Sequence, residues 1–146
     1  MGREALLTVD CGQYSEKILD IINLLTKIGW SYYDSENNIE YLPLGDDEMY
    51  DWQKGNISIT ELENIINKKQ SNTEMVGLCL HNAASKISIV FLARSTYKII
   101  IDLNIDRKTY PDSDITNPES YMQTIILPLE KNGCHVYSIC FEDYVS

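Results

Sequence analysis

Basic residues are scarce in this sequence. Lys and Arg together number 12 against 22 Asp and Glu, which gives a formal net charge of −10. Proteins that bind nucleic acid neutralise phosphates with clustered Lys and Arg, so this composition argues against a nucleic-acid partner. It suits a positively charged protein partner, because opposite charges speed association, although solubility alone also accounts for an acidic chain.

Long hydrophobic runs are also missing. No apolar run approaches the ~18 residues that a membrane-spanning helix needs. The N-terminal segment MGREALLTVD lacks the basic-then-apolar order of a signal peptide, and Gly2 lacks the downstream Ser or Thr of a myristoylation site. We therefore expect a cytoplasmic protein without membrane contacts. The length of 146 residues predicts one globular domain over residues 1–146.

Sequence motifs for catalysis and metal binding are absent. The chain has 2 histidines, His81 and His135, and neither lies in a nucleophile motif. Glycine-rich phosphate loops do not occur. The segment that starts at Asp102 begins like a calcium loop, but it has Arg107 where that loop needs glycine and Ser113 where it needs glutamate. The sequence thus predicts no catalytic residue, no cofactor and no metal.

The 4 cysteines are scattered along the chain and form no C-x-x-C pair. Two of them, Cys79 and Cys140, lie in apolar, strand-like runs, where a free cysteine behaves as a small hydrophobic residue. Disulfides are rare in the cytoplasm. We therefore expect reduced thiols that belong to the core: Cys11, Cys79, Cys134 and Cys140.

Hydrophobic periodicity predicts an α+β fold. Runs of β-branched residues are separated by connections so short that neighbouring strands must be antiparallel. The prediction is a single domain in which a mainly antiparallel sheet, a meander of three strands plus a C-terminal strand, packs against about three helices. The predicted elements are a first strand within 5–10, helices over 15–29 and 58–69, strands over 75–82, 86–93 and 96–103, a helix from 117 and a last strand over 134–143.

Local signals refine several of these elements. Ser58 is a capping residue for one helix, and Asn117 followed by Pro118 marks the start of another. Pro128 should kink or end that second helix, because its ring clashes with the carbonyl four residues earlier. In the strand over 96–103, alternation places Tyr97 on the same face as the apolar residues that follow it.

Acids and aromatic residues concentrate in one long connection, residues 30–57, which has little periodicity. Between Lys27 and Lys54 there are seven acids and no Lys or Arg. The centre of this connection, YLPLGDDEMYDW over residues 41–52, could bind a metal, perform acid–base chemistry or present a negative face to a partner. Irregular connections of this length in compact domains are often functional.

The stretch WSYYDSENNIEYLPLGDDEMYDWQ resembles small immunity proteins of bacterial polymorphic toxin systems, which include the contact-dependent growth inhibition immunity proteins. The likeness lies in a tryptophan and further aromatic residues, a Leu-Pro-Leu-Gly-Asp turn and an Asp-Trp close. Beyond this stretch it extends to the order of meander, helix and final strand. The resemblance implies a single-domain cytoplasmic inhibitor that binds one cognate toxin domain, often a nuclease, and has no catalytic residues.

The resemblance points to residues within 46–52 as the partner-binding residues, and the chemistry of the side chains adds Tyr32 and Tyr33. Carboxylates suit the basic groove of a nuclease, and Tyr and Trp are favoured at interface centres because they bury large rigid surfaces. We expect the acids to be exposed and Trp30 to be buried in the core. The predicted contact residues are Tyr32, Tyr33, Asp46, Asp47, Glu48, Tyr50, Asp51 and Trp52.

Other interpretations of the same residues stay open. The aromatic residues could fasten the connection to the core while the acids are only solvated. The chain could be an adaptor or regulatory module that binds a different protein. It could also be a small hydrolase that uses the carboxylates of residues 46–51 as acid and base.

Overall fold

The structure, a computed structural model, describes residues 2–146 as one seven-stranded antiparallel sheet with three helices. The strands are β1 (Arg3–Asp10), β2 (Ile39–Tyr41), β3 (Gln53–Gly55), β4 (Val76–Asn82), β5 (Ile87–Ser95), β6 (Lys98–Asp102) and β7 (Ser138–Val145). The helices are α1 (Ile18–Lys27), α2 (Ile59–Ser71) and α3, which joins an α-helical turn (Pro118–Tyr121), a π-helical segment (Met122–Ile126) and a second α-helical turn (Leu127–Lys131).

The strand order is β3-β2-β4-β5-β6-β1-β7. The predicted meander is confirmed as β4-β5-β6, and the α+β class is confirmed with it. Two features go beyond the prediction. The connection over 30–57 contains the short strands β2 and β3, and the N-terminal strand β1 lies inside the sheet between β6 and β7.

One face of the sheet and the helices form a single hydrophobic core. Alternation works as expected in β5, where Ile87, Ile89 and Phe91 are buried. Tyr97 is an error of the sequence prediction, because it precedes β6 in a tight connection and is 53% exposed. The opposite face of the sheet, here called the outer face, carries half-buried residues such as Leu92.

The sequence predicted that Pro128 kinks or ends helix α3. The helix does not end there but continues to Lys131, and its geometry changes just before the proline. The helix widens into π geometry just before the proline, which gives the ring room. Proline has no N–H to donate to the carbonyl of Thr124. The indole Nε1 of Trp30 donates to that carbonyl instead, at 3.0 Å. Trp30 is 2% exposed, so its predicted place in the core is confirmed.

Both predicted helix caps are present. The hydroxyl of Ser58 accepts the backbone N–H of Glu61 at 3.0 Å, and the side chain of Asn117 accepts that of Glu119 at 3.0 Å. Each bond satisfies an amide that has no partner within its own helix. These caps fix where α2 and α3 begin.

The cysteines are unbridged, but they do not all belong to the core. Cys11, Cys79 and Cys134 are buried as expected, whereas Cys140 is exposed. The difference follows from topology, because Cys140 lies on β7 at the edge of the sheet, on the outer face. Its apolar surroundings in the sequence predicted burial that an edge strand does not provide.

Candidate functional site

Residues 42–52, here called the acidic loop, lie against the outer face of the sheet at β4. The Leu42 amide donates to the carbonyl of Gly77 at 3.0 Å, and Leu42 is buried. A Cβ at Gly77 would stand 2.5 Å from the Leu42 side chain and 2.9 Å from the Trp52 ring. Glycine at this position therefore lets both side chains rest directly on the strand.

Asp46 organises the crest of the acidic loop. Its Oδ1 accepts the backbone N–H groups of Met49 and Tyr50 at 3.0 and 3.1 Å, and its Oδ2 accepts that of Asp51 at 2.7 Å. These bonds hold Tyr50 at a φ of +53°, a conformation that is uncommon for a bulky residue. Asp46 is 5% exposed, so the expectation that all four acids are exposed is wrong for this residue.

A buried lysine supports the loop from below. Lys69 of α2 is 1% exposed, and its Nζ donates to the carbonyls of Pro43 at 2.7 Å and Asp46 at 2.5 Å. Its charge is partnered by Glu74, whose nearest oxygen is 3.4 Å away. Glu74 also accepts the N–H of Gly45 at 2.7 Å, and this hydrogen bond holds the pKa of Glu74 below its usual value.

Lys69 is not among the residues that the sequence predicted for this site. A signal was present, because Lys69 continues the helical spacing of the buried residues Leu62 and Ile66. A lysine on the apolar stripe of a helix is rarely buried without a partner. Its partners here are backbone carbonyls of a loop more than twenty residues earlier in the chain, and no local sequence pattern predicts them.

Asp47 and Glu48 share one internal cation. Arg94 of β5 donates from Nε to Asp47 at 3.0 Å and from Nη2 to Glu48 at 3.1 Å. Asp47 also accepts the backbone N–H of Met75 at 2.8 Å. The hydrogen bond from Arg94 is the main reason why the pKa of Asp47 lies below its usual value. Both carboxylates remain accessible, with side chains 46% and 74% exposed.

The solvent side of the loop combines charge with apolar surface. Asp51 is exposed, and so are Leu44, Met49 and Tyr50, with Met49 at 83%. Trp52 is half-buried against the strand. The loop therefore presents carboxylates beside large apolar side chains on a backbone that is fixed from within.

Tyr32 and Tyr33 do not join this surface. Ser31 pairs with His81 at the end of β4, whereas Met75, which binds Asp47, precedes the start of that strand. Six residues of extended chain separate these points by roughly 20 Å. The two tyrosine rings contact each other, with centroids 5.1 Å apart, and burial raises the pKa of Tyr32. The predicted contact residues thus fall into two separate groups.

A second feature lies at the tyrosine end of β4. A cleft of about 460 Å³ is lined by Tyr33, Asp34, His81, Lys86 and Ser88, among others. His81 and Ser88 face each other across β4 and β5, with Nδ1 and Oγ 2.9 Å apart. Burial lowers the pKa of His81, which favours the neutral imidazole. His81 lies in no nucleophile motif of the sequence, and only the hairpin register reveals its neighbour.

Within residues 2–146, no group of three or more His, Cys, Asp or Glu side chains is arranged to hold a metal ion. None of the helices described there is long and apolar enough to cross a membrane.

Comparison of the chain with protein-family models, with curated proteins and with solved structures found no match.

Proposed function

We propose that this protein is an immunity-type inhibitor, which binds a basic toxin domain through the acidic loop and blocks its active site or substrate groove. The observation that carries the proposal is the internal scaffold of the loop. Asp46 and Lys69 hold the backbone in place while Asp47, Glu48 and Asp51 face solvent. A nuclease is the toxin class that fits best, because its phosphate-binding groove is positively charged.

Pre-organisation supports this function. An inhibitor whose contact loop is already ordered loses less conformational entropy on binding, and affinity rises accordingly. Asp46 forms three hydrogen bonds with its own loop. Its role in the proposal changes from a contact residue to a residue that positions the contacts.

The exposed side chains suit both steps of association. Carboxylates steer a basic partner, and close charge pairs at inhibitor interfaces contribute ~1.5–7 kcal/mol of coupling. Met49 and Tyr50 belong to residue types that are enriched at interfaces. Arg94 already binds Asp47 and Glu48, so a basic group of the toxin would share these carboxylates with it. Tyr32 and Tyr33 lie outside this contact surface.

The two alternatives receive less support. An adaptor would use the same surface for another partner, and only the identity of that partner distinguishes it from an inhibitor. A hydrolase would need one carboxyl with a raised pKa as general acid. Asp46 has both oxygens engaged by backbone amides, and the pKa of Asp47 is shifted downward by Arg94.

The test removes three exposed charges of the acidic loop and compares the result with the removal of three exposed charges outside the loop. The loop variant is Asp47→Asn, Glu48→Gln and Asp51→Asn. The control variant is Glu36→Gln, Asp106→Asn and Asp112→Asn, which changes three exposed acids outside the loop. Parent and control should capture the toxin domain from the native host and protect cells that produce it. The loop variant should associate more slowly and protect poorly; equal protection by all three proteins would refute the proposed surface.

A further inference from the structure

The two edges of the sheet differ in how they meet solvent. The β3 edge is three residues long and carries Lys54, whose ammonium lies 3.3 Å from Asp34. The β7 edge is eight residues long, contains neither lysine nor proline, and pairs with β1 without interruption from Arg3–Val145 to Asp10–Ser138. Short strands, lysines and other charged residues, prolines and bulges are the usual protection against pairing with another strand. Within the paired segment, β7 has only the charges of Glu142 and Asp143.

The hydrogen-bond pattern shows which groups of β7 are free. Ser146 donates its N–H to Gly2 at 3.0 Å, so the even-numbered residues of this segment face β1. The odd-numbered residues of β1 face β6, as the bond from Leu103 to Ala5 at 3.1 Å shows. Within residues 2–146 no strand lies beyond β7. The residues whose N–H and C=O point outward there are Ile139, Phe141, Asp143 and Val145.

The side chains along this edge are mostly apolar or neutralised. Tyr137, Ile139 and Val145 are exposed at 59%, 43% and 54%. Asp143 binds Arg3 and accepts the N–H of Thr116 at 2.8 Å, so its charge is compensated within the chain. Glu142 is then the one uncompensated charge among the residues of β7. An extended segment that docks here meets a largely uncharged edge, although the protein as a whole is acidic.

We propose that β7 pairs with β7 of a second copy of this chain, antiparallel and about a two-fold axis at Phe141. Outward-facing residues must oppose outward-facing residues. The axis therefore passes through a residue position and not between two residues, and it lies near the strand centre. An axis at Glu142 would place two like charges opposite each other, and an axis at Cys140 would overlap fewer residues. The axis at Phe141 places Ile139 opposite Asp143 and Cys140 opposite Glu142 of the second copy.

The pairing should be weak and should strengthen with salt. Stable interfaces bury ~800 Å² per partner, and two eight-residue strands provide less than that. Each chain also carries a net charge of −10, so the two copies repel each other. Added salt screens this repulsion, whereas it would weaken binding of a basic strand at the same edge. The dimer does not depend on the proposed inhibitor function, because β7 and the acidic loop are separated by the intervening strands.

Analytical ultracentrifugation of the whole chain tests the proposal, with Ile139→Pro and Ile139→Ala as matched variants. Proline at 139 removes an outward N–H and leaves the ladder with β1 intact, whereas alanine keeps that N–H. In high salt, the parent and the alanine variant should approach twice the 16.8 kDa of the chain as concentration rises. The proline variant should associate at least about tenfold more weakly, a change of ~1.4 kcal/mol.

Two results would overturn the dimer. One is a parent protein that stays monomeric up to about 1 mM, which would leave less than ~4 kcal/mol for association. The other is a folded proline variant that dimerises as well as the parent.

The register has its own test. Opposed residues of a non-hydrogen-bonded pair have Cα atoms ~4.5 Å apart, within the range of a disulfide. Glu142→Cys therefore places a thiol opposite Cys140 of the second copy, and mild oxidation should yield a covalent dimer that Cys140→Ser prevents. A dimer that does not cross-link in this variant would refute the Phe141 axis.

Discussion

Two acid-rich loops of this protein are held in different ways. The acidic loop is fastened to distant elements, through Lys69 of α2 and Arg94 of β5. The loop over 104–116 closes mainly on itself: Arg107 donates to the carbonyl and the carboxylate of Asp114 at 2.6 and 2.7 Å, and Thr109 pairs with Thr116. The two loops differ in composition, because only the loop over 104–116 has basic residues of its own, Arg107 and Lys108. They also differ in anchoring. Cations from outside the loop, Lys69 and Arg94, hold the acidic loop. The loop over 104–116 has its own Arg107 and is tied to β1, α3 and β7 by single hydrogen bonds of Asn104, Lys108 and Thr116.

The largest loss of stability is expected when the cation that supports each loop is replaced. Lys69→Met would leave the carbonyls of Pro43 and Asp46 without their buried donor, and we expect a loss of about 3 kcal/mol in the free energy of unfolding. Arg107→Met should cost about 1–2 kcal/mol, because both acceptor atoms of Asp114 can bind water instead and only the hydroxyl of Thr116 is buried. Urea unfolding measures both variants. Equal losses would show that the distant anchors of the acidic loop add no stability.

Neighbouring acids within the first loop provide the next test. Asp46→Asn turns an acceptor into a donor that faces the N–H groups of the loop, and should cost about 2 kcal/mol. Asp47→Asn should cost at most ~1 kcal/mol, because its bond to Arg94 is exposed. Thermal melts at neutral pH compare the two variants. If both melt as the parent does, the three hydrogen bonds to Asp46 are not structural.

A glycine pair tests how closely the loop lies on the sheet. Gly77→Ala would place a methyl group against Leu42 and Trp52, and should cost about 1–2 kcal/mol, a modest over-packing penalty because the Leu42 side chain can rotate. Gly55→Ala adds the same atom where no neighbour lies within 4 Å, and should leave stability nearly unchanged. Urea unfolding curves measure the stability of both variants. Equal stability would show that the loop moves aside freely when a methyl group is added at Gly77.

A pH dependence of stability tests one carboxylate bound to each loop, Asp143 for the loop over 104–116 and Asp47 for the acidic loop. Hydrogen bonds from Thr116 and Arg3 lower the pKa of Asp143 to about 2, and Arg94 lowers that of Asp47. A folded-state pKa below the unfolded value gives stability that is present above the usual pKa near 3.8 and is lost as pH falls through the lowered value.

The corresponding measurement is denaturant unfolding between about pH 5 and pH 2, the range in which these carboxyls take up protons. Stability should fall with pH in the parent, and the slope should be shallower in Asp143→Asn. An unchanged slope in this variant would mean that its carboxylate has the same proton affinity in the folded and unfolded chain.

Sequence reasoning located the elements that carry local signals. The alternation in β5 and the caps at Ser58 and Asn117 are properties of neighbouring residues, and each was confirmed. The strands β2 and β3 are too short to show a period. The place of β1 between β6 and β7 depends on pairing between residues at opposite ends of the chain. Periodicity within a short sequence window carries no information about such pairing.

The candidate site shows the same division. The sequence identified the acids and aromatic residues of the loop, but it could not separate Asp46 from Asp47. The two residues are adjacent and chemically identical. One lies over the amides of its own loop, and the other faces Met75 and Arg94, far away in sequence. The partners of Lys69 belong to the same class, because the carbonyls that accept its hydrogen bonds are placed by the fold, although helical spacing indicates its burial.

The position of β1 has a consequence for synthesis of the protein. Strand β1 is made first, yet its even-numbered amides pair only with β7, the last strand to be made. Until residues 138–145 have emerged, β1 is an unprotected edge, and the sheet must close by a contact of very long sequence separation. Such contacts slow folding and expose incomplete chains to aggregation. Loss of the last strand should therefore harm the nascent protein far more than the length of the deletion suggests.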